Sequence, residues 1–170
     1  MLPIVLDGSN LRAGVAGAGE GLNRRLGVLA VAGIKQPAIF ADRLPSAEEI
    51  AALKILFIAG LDEAQSCALA EAAREAGVLV NVEDAPGLCD FHLPAQVRRG
   101  DLVFTVSTGG RSPGLSRALR EDLERRFGPE WDSRLDEIAD LRGQWRAEGA
   151  DPNEVSVRTR AVLSERGWLA

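Results

Sequence analysis

Two adjacent carboxylates, Glu83 and Asp84, end the apolar segment "VLVNV" and stand just before the rigid turn formed by Pro86 and Gly87. A carboxylate that follows a buried strand and is shaded by apolar walls can act as a general base or as a metal ligand. An Asp in a turn also commonly caps its own backbone. Both interpretations of Asp84 follow from residue type, and the pattern assigns no role to Glu83.

A glycine-rich segment, "GAGEGLNRR", begins at Gly17 and joins a short strand to a helix. Gly17 and Gly19 have the spacing at which a dinucleotide pyrophosphate sits on the free N–H groups of a helix N-terminus. Dinucleotide-binding turns have a third small residue in this glycine fingerprint, and here that position is Leu22, whose size we expect to loosen the helix–strand packing. Asp42, after the next strand, is placed to accept hydrogen bonds from an adenosine ribose, whereas Arg43 would meet a 2′-phosphate. We predict a nucleotide site, leave NAD against NADP open, and keep a ligand-free glycine turn as the alternative.

A second glycine turn, within "STGGRSPGLSR", leads from another strand into a helix that starts with a Ser-Pro pair. Hydroxyl and N–H donors at the positive end of a helix, with arginines beside them, suit the carboxylates or phosphates of a ligand. A well-capped structural turn with solvated arginines is the alternative. The residues assigned to this predicted anion site are Thr108, Gly109, Gly110, Arg111, Ser112 and Arg117.

The only histidine of the chain, His92, follows the Pro-Gly turn in the segment "CDFHLP". One histidine with no carboxylate or thiolate at a metal-ligand spacing does not form a zinc site, so we predict no resident metal. Cys67 lies in an Ala-rich helical segment and is expected in the core. Two cysteines do not make a disulfide framework, and we expect the reducing cytoplasm as the location.

The composition excludes two classes of partner. The 170-residue chain has a net charge of −5, so no overall positive field attracts nucleic acid. No apolar segment approaches the roughly 18–20 residues that span a bilayer, so we predict no membrane partner.

Short apolar strands alternate with Ala-rich helices over the first two thirds of the sequence, and continuous apolar strands are typical of a sheet covered on both faces. The pattern predicts a Rossmann-like α/β fold, with a doubly wound, mostly parallel sheet followed by an all-helical appendage. The predicted strands cover residues 11–17, 37–42, 54–60, 78–83 and 101–107. We therefore predict a nucleotide-binding domain over residues 1–111 and a helical region over residues 112–170.

Three stretches occur in one order: "GAGEGLNRR", then "NVEDAP" with "CDFHLPAQVRRGDL", then "VSTGGRSPGLSRALREDLE". Their order and spacing resemble the siroheme synthase dehydrogenase/ferrochelatase family, meaning the precorrin-2 dehydrogenase module in its free-standing form without the methyltransferase half. The resemblance is specific over residues 78–125. It is weaker over residues 1–77, where the segment between the glycine turn and Asp84 is short and "GLD" replaces the family's Ala-Thr-Asp.

The resemblance implies NAD-dependent oxidation of precorrin-2 to sirohydrochlorin for siroheme biosynthesis and, in many members, insertion of Fe²⁺ into the ring. It also implies a homodimer in which the helical region covers the tetrapyrrole. The carboxylate arms of this macrocycle would be held by the second glycine turn and its arginines. The short nucleotide half favours an alternative, a chelatase or tetrapyrrole-binding module that has lost the dehydrogenase step.

The resemblance also assigns individual residues. Asp84 falls on the family's catalytic Asp, and Thr108 falls on the hydroxyl residue of the substrate-binding turn. His92 replaces an apolar or aromatic residue and is interpreted as a pocket wall that faces the macrocycle or the core. The residues that fall on NAD-contact positions are Glu20, Gly21, Asp42 and Arg43.

Overall fold

The computed structural model describes residues 1–169, which form two compact units divided between Leu93 and Pro94. This division lies earlier than the predicted boundary after residue 111. The reason is a strand that the sequence analysis missed: Ala95–Arg99 pairs antiparallel with Leu102–Val106, so both segments belong to the second unit. The missed strand fully buries only Val97 and ends in two arginines, so its apolar signal is weak.

The first unit is a four-stranded parallel sheet with a helix after each of its first three strands. The spatial order β2-β1-β3-β4, with every neighbouring pair parallel, confirms the predicted Rossmann-like fold. The strands are β1 (Ala13–Gly17), β2 (Ala38–Phe40), β3 (Ile55–Ala59) and β4 (Leu79–Val82). The helices are α1 (Gly19–Val31), α2 (Ala47–Ala51) and α3 (Glu63–Glu75).

The side chains of the central strand β3 alternate between two apolar layers. Ile55 and Phe57 lie in the cluster that contains the buried face of α1. Leu56 and Ile58 lie in the cluster that contains α2 and α3. Burying a side chain of this size contributes about 1.5–3 kcal/mol. The sheet is therefore covered on both faces, which is why its strands read as continuous apolar runs rather than as alternating ones.

Strand β4 lies at an edge of the sheet, and the loop after it pairs with its free backbone groups. Asp90 N donates to Val80 O (2.8 Å), and Val80 N donates to Asp90 Oδ2 (3.0 Å). Val82 N donates to Cys89 Sγ (3.2 Å), and the thiol in turn donates to Val82 O (3.2 Å). Arg74 Nε holds the Asp90 carboxylate from the other side (2.8 Å). Cys89 and Asp90 thus take the place of a neighbouring strand and protect the edge.

The second unit joins an antiparallel hairpin to three helices, and its aromatic rings form a row. Phe104 of the hairpin stacks on Phe127 with ring centroids 4.4 Å apart, and Phe127 meets Trp131 at 5.2 Å. The Arg134 guanidinium lies between Trp131 and Trp168, 5.1 and 5.0 Å from their ring centroids. The elements are β5 (Ala95–Arg99), β6 (Leu102–Val106), α4 (Pro113–Arg126), α5 (Trp131–Ala147) and α6 (Pro152–Glu165).

The predicted helical region is present as α4, α5 and α6. Within residues 1–169, no helix combines the length and the apolar character that crossing a bilayer requires.

Candidate active site

The carboxyl ends of β1 and β3 form the crevice at which the strand order reverses. From β1 the chain continues to β2 on one side, and from β3 it continues to β4 on the other. Open parallel α/β sheets bind their ligands outside such a switch point. The last paired residues there are Gly17 and Ala59, so the groups that follow them border the candidate site.

Two glycines let the backbones cross closely at this crevice. A Cβ on Gly17 would overlap the carbonyl oxygen of Ala59, and a Cβ on Gly60 would overlap the carbonyl oxygen of Ala18. Gly60 also has a φ of 69°, a conformation that glycine adopts without strain. In the sequence Gly60 stood out only as a departure from the family pattern, although a glycine directly after a buried strand is itself a signal for close approach of two backbones.

The N-terminus of α1 keeps its backbone donors available. Its N-cap residue, Ala18, has no side chain that can accept a hydrogen bond. Within residues 1–169, the N–H groups of Gly19, Glu20 and Gly21 donate to no protein acceptor. A Cβ on Gly19 would meet nothing within 4 Å, so the space in front of the helix is open. This arrangement offers uncapped N–H groups at the positive end of a helix to an anion.

The close contact between α1 and the end of β3 is made by Gly21 rather than by Leu22, the third position of the glycine fingerprint. A Cβ on Gly21 would lie 3.1 Å from Ala59 Cβ and 3.2 Å from Gly60 N. Leu22 points away from this contact and is buried, at 8% exposure, in the apolar layer beneath α1. The expectation that Leu22 loosens the packing was therefore wrong, because the helix begins at Gly19 and turns Gly21 toward β3.

Asp42 and Arg43 follow β2 and are both exposed, but they differ in what they contact. Within residues 1–169, the Asp42 carboxylate accepts no hydrogen bond. Arg43 donates from Nη1 to Glu49 Oε2 (2.7 Å) and from Nη2 to Glu49 Oε1 (2.5 Å). These bonds, together with the Ser46 backbone N–H, lower the pKa of Glu49 to about 2. The same hydrogen bonds raise the pKa of Arg43.

Asp84 stands out by its backbone. It is the one non-glycine residue within residues 1–169 that has a positive φ, at 57°. This left-handed conformation costs most L-residues roughly 1–2 kcal/mol, and Asp tolerates it better than most. Its exposed carboxylate lies directly after β4, at the same edge of the sheet as the α1 N-terminus. The turn therefore presents this carboxylate to solvent.

A cleft of about 620 Å³ opens beside Asp84, within the size range of small-molecule sites. Cys67 lines this cleft and is half-buried rather than sealed in the core, which corrects the expectation for that residue. Other residues on its walls include Leu61, Ser66, Val82, Pro86 and Leu88.

Glu83, which had no assigned role, anchors the end of β4 to α1. Its carboxylate accepts hydrogen bonds from Arg24 Nε (3.3 Å) and Nη2 (3.1 Å), and Arg25 Nη2 lies 3.9 Å away. The Glu83 side chain is only 15% exposed, whereas that of Arg24 is 60% exposed. Arg24 also reaches Glu20, 3.6 Å away, whose own side chain is 94% exposed. Glu83 is thus a structural partner of α1, whereas the carboxylate of its neighbour Asp84 makes no hydrogen bond or ion pair within residues 1–169.

The second glycine turn lies in the other unit, and its hydroxyls hold the turn itself. Thr108 Oγ1 accepts from Ser112 N (3.2 Å) and lies 3.1 Å from Ser116 Oγ. Ser112 Oγ accepts from Leu115 N (3.3 Å), which caps α4. Thr108 and Ser112 therefore hold the turn and cap α4, and substrate binding by these two residues stays a prediction. Ligand binding by the exposed residues Gly109, Gly110 and Arg111 stays a prediction.

Two further predicted site residues are also exposed. Arg117 donates from Nε to Glu121 Oε1 (2.9 Å), so its guanidinium is already paired. His92 lies exposed in the segment between β4 and β5. Within residues 1–169, no group of three or more His, Cys, Asp or Glu side chains is arranged to hold a metal ion.

Comparison with known proteins gives a consistent pattern. Residues 4–95 match the family described as "Putative NAD(P)-binding". The siroheme synthase of Methylococcus capsulatus is 34% identical over 169 residues, covering 89% of this chain and 36% of that protein. The siroheme synthase of Nitrosospira multiformis is 35% identical over 145 residues, covering 72% of this chain and 31% of that protein. The chain thus spans about a third of the length of these relatives.

A solved structure, "SirC, precorrin-2 dehydrogenase", superposes with a TM-score of 0.75 and covers 100% of this chain and 93% of its own. The two sequences are only 18% identical, so this likeness establishes the fold alone. It agrees with the predicted Rossmann-like domain followed by helices.

Proposed function

This chain belongs to that NAD(P)-binding family, and from that premise we propose that it uses NAD to oxidise precorrin-2 to sirohydrochlorin in siroheme biosynthesis. The relatives named siroheme synthase and the structure named precorrin-2 dehydrogenase support this substrate class. The observation that carries the proposal is Asp84, a free carboxylate in a left-handed turn at the same sheet edge as an uncapped helix N-terminus.

The crevice residues fit a dinucleotide. The open space in front of Gly19 and the unpaired N–H groups of the first turn of α1 suit a pyrophosphate. The free Asp42 carboxylate suits the hydroxyls of an adenosine ribose. Bound NAD would supply the hydride acceptor for the oxidation. Gly17, Gly60 and Gly21 keep the strands and α1 close enough to form the crevice floor.

Asp84 takes up the proton that precorrin-2 releases when it is oxidised. Its carboxylate is exposed beside the cleft, so the proton passes on to solvent after each turnover. The ion pair between Glu83 and Arg24 holds the preceding residue against α1, which restricts where Asp84 can move. Strained backbone conformations of this kind occur most often at functional sites.

The carboxylate arms of the tetrapyrrole bind at the second glycine turn in this proposal. Gly109 and Gly110 have φ values of 65° and 77°, and this backbone leaves the turn exposed beside Arg111. The hydroxyls of Thr108 and Ser112 position the turn rather than the substrate. His92 is exposed at the surface for further contacts, whereas Arg117 would have to leave Glu121 to reach the substrate.

The proposal includes a homodimer and a cytoplasmic location. Leu115 and Leu119 lie one turn apart on α4 and are 51% and 44% exposed, which supports a partner on this helix. Both cysteines are free thiols, as is typical of a reducing compartment. Sedimentation of the purified chain measures the mass and tests the dimer.

The central experiment measures sirohydrochlorin absorbance after mixing the protein with precorrin-2, with and without NAD. We expect product only with NAD. We expect Asp84→Asn to lower kcat about 100-fold or more, because a positioned general base contributes roughly 10²–10⁴-fold. Asn adopts the left-handed conformation readily, so this variant keeps the turn and changes only the basicity.

Glu75→Gln, a substitution of an exposed carboxylate at the end of α3, serves as the charge-matched control and should leave kcat unchanged. Unchanged turnover in Asp84→Asn would remove Asp84 from the mechanism. Absence of an NAD-dependent product would reject the dehydrogenase. Adding Fe²⁺ or Co²⁺ to sirohydrochlorin in the same assay then tests the chelatase alternative, in which Asp84 assists deprotonation of the ring nitrogens and the metal is a substrate.

A further inference from the structure

The carboxyl end of β2 carries two groups with opposite preferences for the adenosine ribose. A carboxylate such as Asp42 accepts hydrogen bonds from a ribose 2′-hydroxyl, whereas a guanidinium such as Arg43 pairs with a 2′-phosphate. Residue types alone leave the choice between NAD and NADP open. The two residues differ in their contacts: within the part of the chain that the structure describes, Asp42 accepts no hydrogen bond, whereas Arg43 is paired with Glu49.

Arg43 is held by a bidentate pair. Both of its terminal nitrogens donate to the two carboxylate oxygens of Glu49, and Nη1 also donates to Leu44 O (3.2 Å). Its guanidinium carbon lies 5.7 Å from the centroid of the Phe40 ring. The terminal nitrogens of this planar guanidinium therefore point at Glu49, and its face lies over the Phe40 ring. A phosphate would have to displace Glu49 to bind the guanidinium bidentately.

Glu49 is itself fixed in place by the start of α2. Its Oε2 accepts from Ser46 N (2.8 Å), while Glu49 N donates to Ser46 Oγ (3.3 Å). This reciprocal capping box orients the Glu49 side chain before Arg43 binds it. The carboxylate is ionised at neutral pH, and the hydrogen bonds from Arg43 and the Ser46 backbone lower its pKa to about 2. The segment "RLPSAEE" therefore places the ionised Glu49 carboxylate against Arg43, the arginine that follows β2.

We infer that Glu49 is a specificity-determining residue that makes the chain prefer NAD to NADP by holding Arg43 away from a 2′-phosphate. This inference rests on the nucleotide-binding part of the proposed function, not on the tetrapyrrole chemistry. Glu49 acts through Arg43 and touches no dinucleotide itself. Asp42 adds to the same preference, because its negative charge repels a phosphate at the ribose.

The test is direct calorimetric titration of the full chain with NAD⁺ and with NADP⁺, so it needs no precorrin-2 and no turnover. The wild type is expected to bind NAD⁺ more tightly. Glu49→Gln keeps a residue that suits the capping box and removes the anion. We expect this variant to bind NADP⁺ about fivefold more tightly, the factor that corresponds to the upper range of exposed ion pairs, with NAD⁺ affinity changed less than twofold.

Two controls isolate the mechanism. Glu48→Gln makes the same change of charge on the neighbouring residue of α2, and Ser46→Ala weakens the capping box without removing the Glu49 charge. Neither should raise NADP⁺ affinity. In an Arg43→Met background, Glu49→Gln should bring no gain, because no guanidinium is left to release.

The inference is overturned if Glu49→Gln leaves the affinity for NADP⁺ unchanged. It is also overturned if the gain persists in the Arg43→Met background, which would indicate simple charge repulsion. A wild type that prefers NADP⁺, or that binds neither dinucleotide, rejects it as well. Dinucleotide binding with the expected preference but without conversion of precorrin-2 would reject the proposed reaction and leave the role of Glu49 standing.

Discussion

Helices α1 and α4 both begin after a strand and a glycine turn, yet their N-termini are built differently. Ala18 precedes α1 with no side-chain cap, whereas Ser112 caps α4 and is itself held by Thr108. In the sequence the two turns had the same signature, and anion binding was predicted at both, by a nucleotide at the first and by ligand carboxylates or phosphates at the second. A glycine turn before a helix therefore does not by itself define an anion site, because the N-cap residue decides whether the donors stay free.

The largest expected difference between the two turns is steric. In Gly17→Ala the new Cβ overlaps the Ala59 carbonyl, while in Gly110→Ala it meets nothing within 4 Å and only the positive φ is unfavourable. We expect Gly17→Ala to lower the free energy of unfolding by about 3 kcal/mol and Gly110→Ala by about 1 kcal/mol. Urea denaturation followed by circular dichroism measures both.

Circular dichroism is used because all three Trp residues lie in the second unit. Trp fluorescence would therefore report unfolding of the second unit and not of the unit that contains Gly17. Equal losses in the free energy of unfolding for Gly17→Ala and Gly110→Ala would contradict the expected overlap of the new Cβ with the Ala59 carbonyl.

Removing the N-cap of α4 and adding one to α1 should change stability by smaller amounts and in opposite directions. Ser112→Ala should destabilise the second unit by about 1 kcal/mol, because a first-turn N–H of α4 loses its acceptor. Ala18→Ser should stabilise the first unit by up to about 1 kcal/mol and should weaken NAD⁺ binding, since the added hydroxyl occupies a donor that the pyrophosphate needs. Thermal denaturation and calorimetric titration measure the two parts. Tighter NAD⁺ binding by Ala18→Ser would contradict the role of the uncapped donors.

A third helix, α2, begins with a capping box, and the effect on stability expected there is the smallest of the three. Hydrogen bonds from Arg43 lower the pKa of Glu49 to about 2, below its ordinary value of 4.5. The stabilisation from this group is therefore complete above about pH 4.5 and is lost as the pH falls toward 2. Carboxyl resonances in an NMR titration report the pKa. In Arg43→Met it should move back toward 4.5, and a wild-type value near 4.5 would show that the pair does not form in solution.

Much of the fold follows from local patterns. The buried strand "ILFIA", the Ser46 capping box and the glycine after α3 each predict an element that the structure contains. Hairpin strand β5 was missed because only Val97 is fully buried and its neighbours are polar. A short strand of this kind is stabilised by pairing with β6, and pairing is not visible in the residues of one segment.

The candidate site was predictable to a different extent at each residue. The glycines of the first turn and Asp84 were identified from motif and resemblance, since backbone freedom and a turn acid leave clear signals in sequence. The partners of Glu83, Arg43 and Thr108 were not, because each depends on where a side chain from a distant segment or a neighbouring turn ends up. The same uncertainty led to the wrong expectation for Leu22, whose orientation depends on where α1 begins.

By itself, the sequence determined the order of strands and helices in the first unit, the glycine turns and the presence of a turn acid, because these depend on periodicity and on local backbone preferences. Only the tertiary structure decided which charged groups are free. Glu83 and Arg43 pair with Arg24 and Glu49, whereas the carboxylates of Asp84 and Asp42 accept no hydrogen bond within residues 1–169. The physical reason is that ion pairs and caps form over distances of a few ångströms, and the fold alone sets those distances.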